Sequence, residues 1–206
     1  MHPRDVNGKV SPKFFARSAL DVARDLIGMN LVRRSTEGTV SGVIVETEAY
    51  CGVEDPAAHT FRGRRTARNE VMWGPPAHAY IYPIYGMYHC LNVVCGPPGT
   101  PEAVLLRAVR PSKGVDIMAS RRGIPVIDEA ERRKLCSGPS KLCIAYGLTR
   151  EDNGADMVKG DLRFTAGGEK AEVVTSRRIG VEYAKEAALW PWRFLLKGDT
   201  YVSRRP

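Results

Sequence analysis

The chain has 206 residues, with 31 Lys plus Arg against 23 Asp plus Glu, for a formal net charge of +8. Hydrophobic residues are 43% and charged residues 26%; this globular composition excludes an intrinsically disordered chain, and no run of about 18 apolar residues is present to span a membrane. No apolar run opens the chain as a secretory signal would, so the expectation is one soluble, cytoplasmic domain over 1–206.

Residues 1–12 read as a loose terminus. Ser18 is placed to cap a short amphipathic helix, with Leu20, Ala23, Leu26 and Ile27 at helical spacing, Asp21 in the first turn and Gly28 at the end. Residues 30–34 and 40–48 read as two strands around the turn 35–38. Residues 52–78 are rich in Gly, Pro and Arg and read as loop with short helical pieces, one of which Thr66 is placed to cap. Residues 79–95 carry the densest strand signal, split into a hairpin at Tyr85-Gly86; Pro83 cannot donate a ladder hydrogen bond and assigns its arm to an edge or a bulge. Residues 103–109 form a further strand, and 112–147 read as mostly helical, with Pro139 in the first turn of a helix that Gly147 ends. The remainder alternates short strands and turns, with one helical candidate over 182–189. These elements predict a mixed α+β fold, with antiparallel strands and peripheral helices.

The charge is uneven. Residues 1–100 carry 11 basic and 9 acidic side chains, and residues 101–206 carry 20 and 14. No block is a pure basic tail, so a basic face fits better than a disordered arm. Nucleic acid, an anionic membrane surface and acidic small substrates are all compatible partners, as is a basic surface that serves solubility alone. The five cysteines, Cys51, Cys90, Cys95, Cys136 and Cys143, are odd in number and read as free thiols. Their spacing matches no zinc pattern, and the histidines form no HExxH, so no metal site is expected. No Walker loop or GxGxxG is present either.

Four groups of residues carry possible chemistry. In VETEAY (45–50), Glu46, Glu48 and Tyr50 share one face of a straight strand. Two carboxylates together repel, and burial raises a carboxyl toward general-base values. A solvated strand edge accounts for the same spacing, which also does not choose between Glu46 and Glu48. Tyr80, Tyr82, Tyr85 and Tyr88 are either half-buried strand residues or a stacking platform. Tyr85 differs because it sits at the turn, where an aromatic packs poorly but makes a wedge between bases. Arg107, inside the apolar run AVLLRAV, either faces solvent or needs a buried partner such as Glu48. In LCSGPSKLC (135–143) a helix start with Lys141 nearby suits a phosphate, or is an ordinary helix start.

In order along the chain, VETEAYCGVEDPAAH (45–59), RGRRTARN (62–69), YIYPIYGMYHCLN (80–92), VLLRA (104–108), LCSGPSKLC (135–143) and the weaker RRIGVEYA (177–184) resemble the alkyladenine (3-methyladenine) DNA glycosylase family. The resemblance covers about residues 14–203. It implies a compact single domain with a curved antiparallel β-sheet, peripheral helices and a protruding β-hairpin. It implies that Glu48 is the catalytic general base, that Arg107 helps to hold the attacking water, and that the backbone carbonyl of Ile179 also contacts that water. Tyr50, His59 and Tyr82 match the walls of the base pocket, Asn92 a residue that crowds the amino group of guanine, and Tyr85 the residue that enters the DNA stack. The implied activity is a monofunctional glycosylase of base excision repair. It would flip an alkylated or deaminated purine from double-stranded DNA and hydrolyse its glycosidic bond, working as a monomer with no cofactor. Pro83, His89 and Cys51 depart from the family pattern around the hairpin and pocket. A catalytically silent nucleic-acid module, or a fold relative acting on RNA or on a formylated substrate, are the competing readings.

Overall fold

The computed structural model describes residues 10–167 and 172–205. Among the described residues, eight strands form one antiparallel sheet that curls on itself. In chain order they are β1 (Asn30–Ser35), β2 (Gly38–Tyr50), β3 (Ala79–Ile84), β4 (Tyr88–Cys95), β5 (Glu102–Lys113), β6 (Leu162–Thr165), β7 (Val173–Ser176) and β8 (Arg193–Leu196). The hydrogen-bonded path is β3-β4-β5-β2-β1-β6, with β8 also on β2 and β7 on β8. The 13-residue β2 therefore has three partners. Its first half pairs with β1, its second half pairs with β8 along the same edge, and β5 runs along its other edge.

Five α-helices among the described residues accompany the sheet: α1 (Pro12–Phe15), α2 (Ala19–Leu26), α3 (Val115–Arg122), α4 (Glu129–Lys134) and α5 (Pro139–Tyr146). α2 begins as the sequence predicts, because the Ser18 side chain accepts a hydrogen bond from the Asp21 N–H. Its apolar side, Val22, Ala23 and Leu26, is fully buried, and each large aliphatic side chain so buried contributes about 1.5–3 kcal/mol. α2 packs on β2 and β5, α5 on β4 and β5, and α3 on α5. The Thr47 hydroxyl donates to the Ala23 carbonyl of α2 at 2.8 Å. Because side chains alternate along a strand, Thr47 facing the helices turns its neighbours Glu46 and Glu48 to the opposite face. That face is walled by the segments 51–73 and 177–192, whose small clusters around Ala57, Val181 and Ala187 and around Met72 and Tyr80 pack against Tyr50 and Tyr82.

Most expected elements are present, and several are corrected. β5 extends to Lys113 and crosses Pro111, so the helical region starts at Val115. Thr66 caps no helix; its N–H and hydroxyl both donate to the Asn69 carboxamide, and Asn69 precedes the 3-10 turn Glu70–Trp73. Residues Glu182–Leu189 wind as 3-10 helix broken at Lys185, where φ is +54°. Much of the predicted loose terminus lies outside the described residues; of the rest, Val10 is buried and a helix starts at Pro12. Pro83 is tolerated because β3 is the edge strand.

Candidate active site

β2 delivers two carboxylates to one place. Glu46 and Glu48 are both fully buried, which removes the solvated-edge reading for each. The pairing of β2 with β5 is irregular here: Glu46 opposes Ala108 and Thr47 opposes Leu106, so Arg107 is the unpaired residue of a bulge. The bulge aims Arg107, only 7% exposed, at both acids. Its Nε donates to Glu46 Oε1 at 3.0 Å and its Nη1 to Glu48 Oε2 at 3.3 Å. Glu48 also accepts from the Tyr50 hydroxyl at 3.0 Å on Oε2 and from the Ile179 N–H at 2.8 Å on Oε1. Burial raises the Glu48 carboxyl above its ordinary value, against the lowering pull of Arg107, the Ile179 N–H and Tyr50. Burial also pushes the Tyr50 hydroxyl well up, with the Glu48 charge adding to it. Arg107 is lowered by burial but carried above its ordinary value by Glu48 and Glu46.

In front of this centre lies a cavity of about 430 Å³ whose walls include Tyr50, His59, Tyr82, Asn92, Arg107 and Ile179. The six predicted pocket and centre residues other than Glu48 thus line one space, and Glu48 sits directly behind Tyr50 and Arg107. The His59 ring lies edge-on to Tyr82 with centroids 4.6 Å apart, and its Nδ1 is 2.7 Å from the Tyr80 hydroxyl. Burial, helped by the charges of Arg68 and Arg64, lowers His59 to about 4, so the imidazole is neutral at physiological pH. Asn92 is fixed by donating to the Tyr80 carbonyl at 3.1 Å. Tyr85 stands at the tip of the β3–β4 hairpin, 89% exposed and at the rim of the same cavity. Pro139 and Ser140, the first residues of α5, also border it.

Sequence reasoning missed the supports. Arg178 is buried, binds Asp55 through two hydrogen bonds of 2.5 and 2.9 Å, and stacks between Tyr50 and Trp192 at 5.0 and 4.9 Å from the ring centroids. It fixes the back of Tyr50 and the backbone beside Ile179. Arg193 is buried against Glu46 at 3.0 Å. Arg193 lies between Trp192 and Phe194, the same signal of a charge in an apolar run that marks Arg107. Tyr80 is a structural tyrosine that orients His59. Among the described residues no group of His, Cys, Asp and Glu is arranged to hold a metal ion.

An antiparallel sheet thus seats a buried carboxylate–arginine centre at the back of a cavity walled by aromatic rings, beside a projecting tyrosine, an arrangement whose size and lining suit a planar ligand. Residues 13–200 match the family described as methylpurine-DNA glycosylase (MPG), and the chain belongs to that family. Among similar curated proteins, one from Alkaliphilus oremlandii is 42% identical over 201 residues, covering 96% of this chain and all of that protein. Another, from Bacillus cereus strain AH820, is 42% identical over 201 residues, covering 94% of this chain and 98% of its own length. Both carry the name "Putative 3-methyladenine DNA glycosylase".

Proposed function

We propose that the protein is a monofunctional DNA glycosylase that removes methylated or otherwise damaged purines from double-stranded DNA. The observation that carries this reading is Glu48, buried and held by Arg107, Tyr50 and the Ile179 N–H at the back of an aromatic cavity.

A purine inside a duplex hides its glycosidic bond, so the nucleotide is turned out of the helix and the base enters the cavity. Tyr85, exposed at the hairpin tip, fills the vacated space in the stack. Arg178 occupies one face of Tyr50, leaving the other to stack on the base, with Tyr82 as a second aromatic wall. The Nδ1 of His59 is engaged by Tyr80, which leaves Nε2 for a base edge, and Asn92 crowds the substituents of the ring. Cation–π attraction to these tyrosines is worth about 0.5–2 kcal/mol for a positively charged methylated base.

In the chemical step Glu48 takes a proton from water as the water oxygen bonds to C1′. Arg107 and the Ile179 carbonyl orient that water. The C1′–N bond breaks, its electron pair leaves with the base, and an abasic site remains. The donors already on Glu48 favour its ionised form against the effect of burial, and the charge of that form favours the oxocarbenium-like transition state. With water as nucleophile no Schiff base forms and the strand stays intact.

The test is base release from duplex oligonucleotides carrying 3-methyladenine, hypoxanthine or ethenoadenine. Release from at least one is expected, with a loss of at least about 100-fold for Glu48→Gln and retained DNA binding. DNA binding without release from any of the three by the folded protein rejects the reading in favour of a silent binding module.

A further inference from the structure

Behind Arg107 lies a second charged layer that the proposed reaction does not use. Glu46 Oε1 accepts hydrogen bonds from Arg107 Nε at 3.0 Å, Arg193 Nη1 at 3.0 Å and Ser203 Oγ at 2.9 Å, and its Oε2 accepts from the Ser203 N–H at 2.5 Å. Arg193 is itself pinned, donating to the Arg204 carbonyl at 3.1 Å and to Ser176 Oγ at 3.3 Å. Four chain segments therefore converge on one carboxylate: β2, β5, β8 and the stretch 203–204.

A buried ion cluster is seldom the most stable filling for such a place; apolar residues of similar volume often serve stability as well or better. The cluster does restrict Arg107. With Nε committed to Glu46 and Nη2 donating to the Ser203 hydroxyl at 3.4 Å, the guanidinium is held away from gripping Glu48 with two parallel hydrogen bonds, the strongest arrangement open to an arginine and a carboxylate. Only Nη1 reaches Glu48, at 3.3 Å.

We infer that Glu46, anchored by Arg193 and Ser203, is a positioning residue that rations the contact of Arg107 with Glu48 and so sets the pH at which the general base becomes available. This rests on Glu48 being that base. The groups facing Glu48 are Arg107, Tyr50, the Ile179 N–H and Glu46, with Arg178, Tyr82, Cys90 and Tyr183 further round it. Tyr50, Tyr82, Cys90 and Tyr183 stay neutral at working pH, being pushed up by burial, and Arg178 is balanced by Asp55. The charges near Glu48 that substitution can change without touching Arg178 are thus Glu46, Arg107 and Arg193.

The signs for two variants are opposite. Glu46→Gln removes a negative charge beside Glu48 and frees Arg107 to bind it more fully, so Glu48 ionises at lower pH. Arg193→Met keeps the Ser203 hydrogen bonds but leaves Arg107 as the cation that Glu46 contacts, which draws Arg107 toward Glu46, so Glu48 ionises at higher pH. The experiment is single-turnover excision of hypoxanthine, a neutral base, from duplex DNA across the acid side of the pH profile, with DNA binding measured in parallel. The expected acid limb moves down by about one pH unit in Glu46→Gln and up in Arg193→Met, stays near wild type in Arg193→Lys, and DNA affinity is unchanged. An equal loss at every pH, with the limb unmoved in Glu46→Gln, is the signature of a structural role and overturns the inference. If Arg193→Met does not fold, the near-isosteric Glu46→Gln decides alone. Glu48→Gln is the reference: normal excision by it removes the base assignment and this inference together. An inactive Glu48→Gln beside an unmoved Glu46→Gln limb removes only the inference.

Discussion

Glu48 illustrates how a proposed general base sits at odds with stability. A carboxyl raised by burial holds its proton more tightly in the folded chain than in the unfolded one. The folded state is therefore favoured below the ordinary carboxylate range and loses that advantage as pH rises through the raised value. Gln imitates the protonated form at every pH. Glu48→Gln should thus melt higher than wild type at neutral pH, the gap closing as pH falls; a lower melting temperature at neutral pH reverses the sign. His59 titrates in the opposite sense. Its folded value of about 4 lies below the unfolded one near 6.5, so the unfolded chain gains a proton first and stability falls as pH drops between these values. Ring resonances followed by NMR should show a midpoint near 4, and Arg68→Ala should raise it part of the way, since burial is the larger cause. A wild-type midpoint near 6.5 contradicts this assignment.

The hairpin is the element in which local strain and proposed function meet. Tyr85 has φ of +48° and Gly86 of +77°. Glycine takes this region freely, whereas a tyrosine there costs about 1–2 kcal/mol. Tyr85→Asn places a residue better suited to that backbone at the tip. It should leave the melting temperature unchanged or higher while slowing excision at least about tenfold, because the proposed wedge is gone; a large loss of stability would show Tyr85 to be a packing residue. The hairpin was legible in the sequence because its turn and aromatic strands are local signals. So were the Ser18 cap and the Pro139–Gly147 helix. The one-face reading of VETEAY was also correct, although period-two alternation did not show that both acids are buried. The bulge at Arg107, the Asp55–Arg178 pair and the Glu46–Arg193 pair escaped the residue reading because they join positions far apart in sequence, 123 residues for the former pair and 147 for the latter. Pairings of that span depend on sheet register, which single-residue preferences do not encode. Thr66 failed for a nearer reason: Asn69, three residues on, competes for its donors.

At the scale of the whole molecule, the +8 charge is the source expected for non-specific attraction to a phosphate backbone. Among described residues no helix is long and apolar enough to cross a membrane. Log affinity for undamaged duplex should fall linearly with log salt concentration, with a slope of roughly 0.9 for each phosphate neutralised. Lys141, exposed beside the cavity-lining residues Pro139 and Ser140, is a candidate for one such contact. Lys141→Gln should reduce the slope by about one while leaving single-turnover excision at saturating enzyme unchanged. An anisotropy titration at several salt concentrations checks it, and an unaltered slope places Lys141 off the DNA.

The threefold pairing of β2 has a consequence for how this protein fails. With β1, β5 and β8 all bonded to it, β2 is expected to protect the amides around Glu46–Glu48 from exchange until most of the sheet opens, whereas the hairpin tip and the loop walls are expected to open first. Fluctuations that loosen the rim would therefore disturb the proposed capture of a damaged nucleotide without exposing the carboxylate. Under mild heat or denaturant, the proposed recognition is therefore expected to degrade first, and the buried Glu48–Arg107 pair to persist until the whole domain collapses cooperatively.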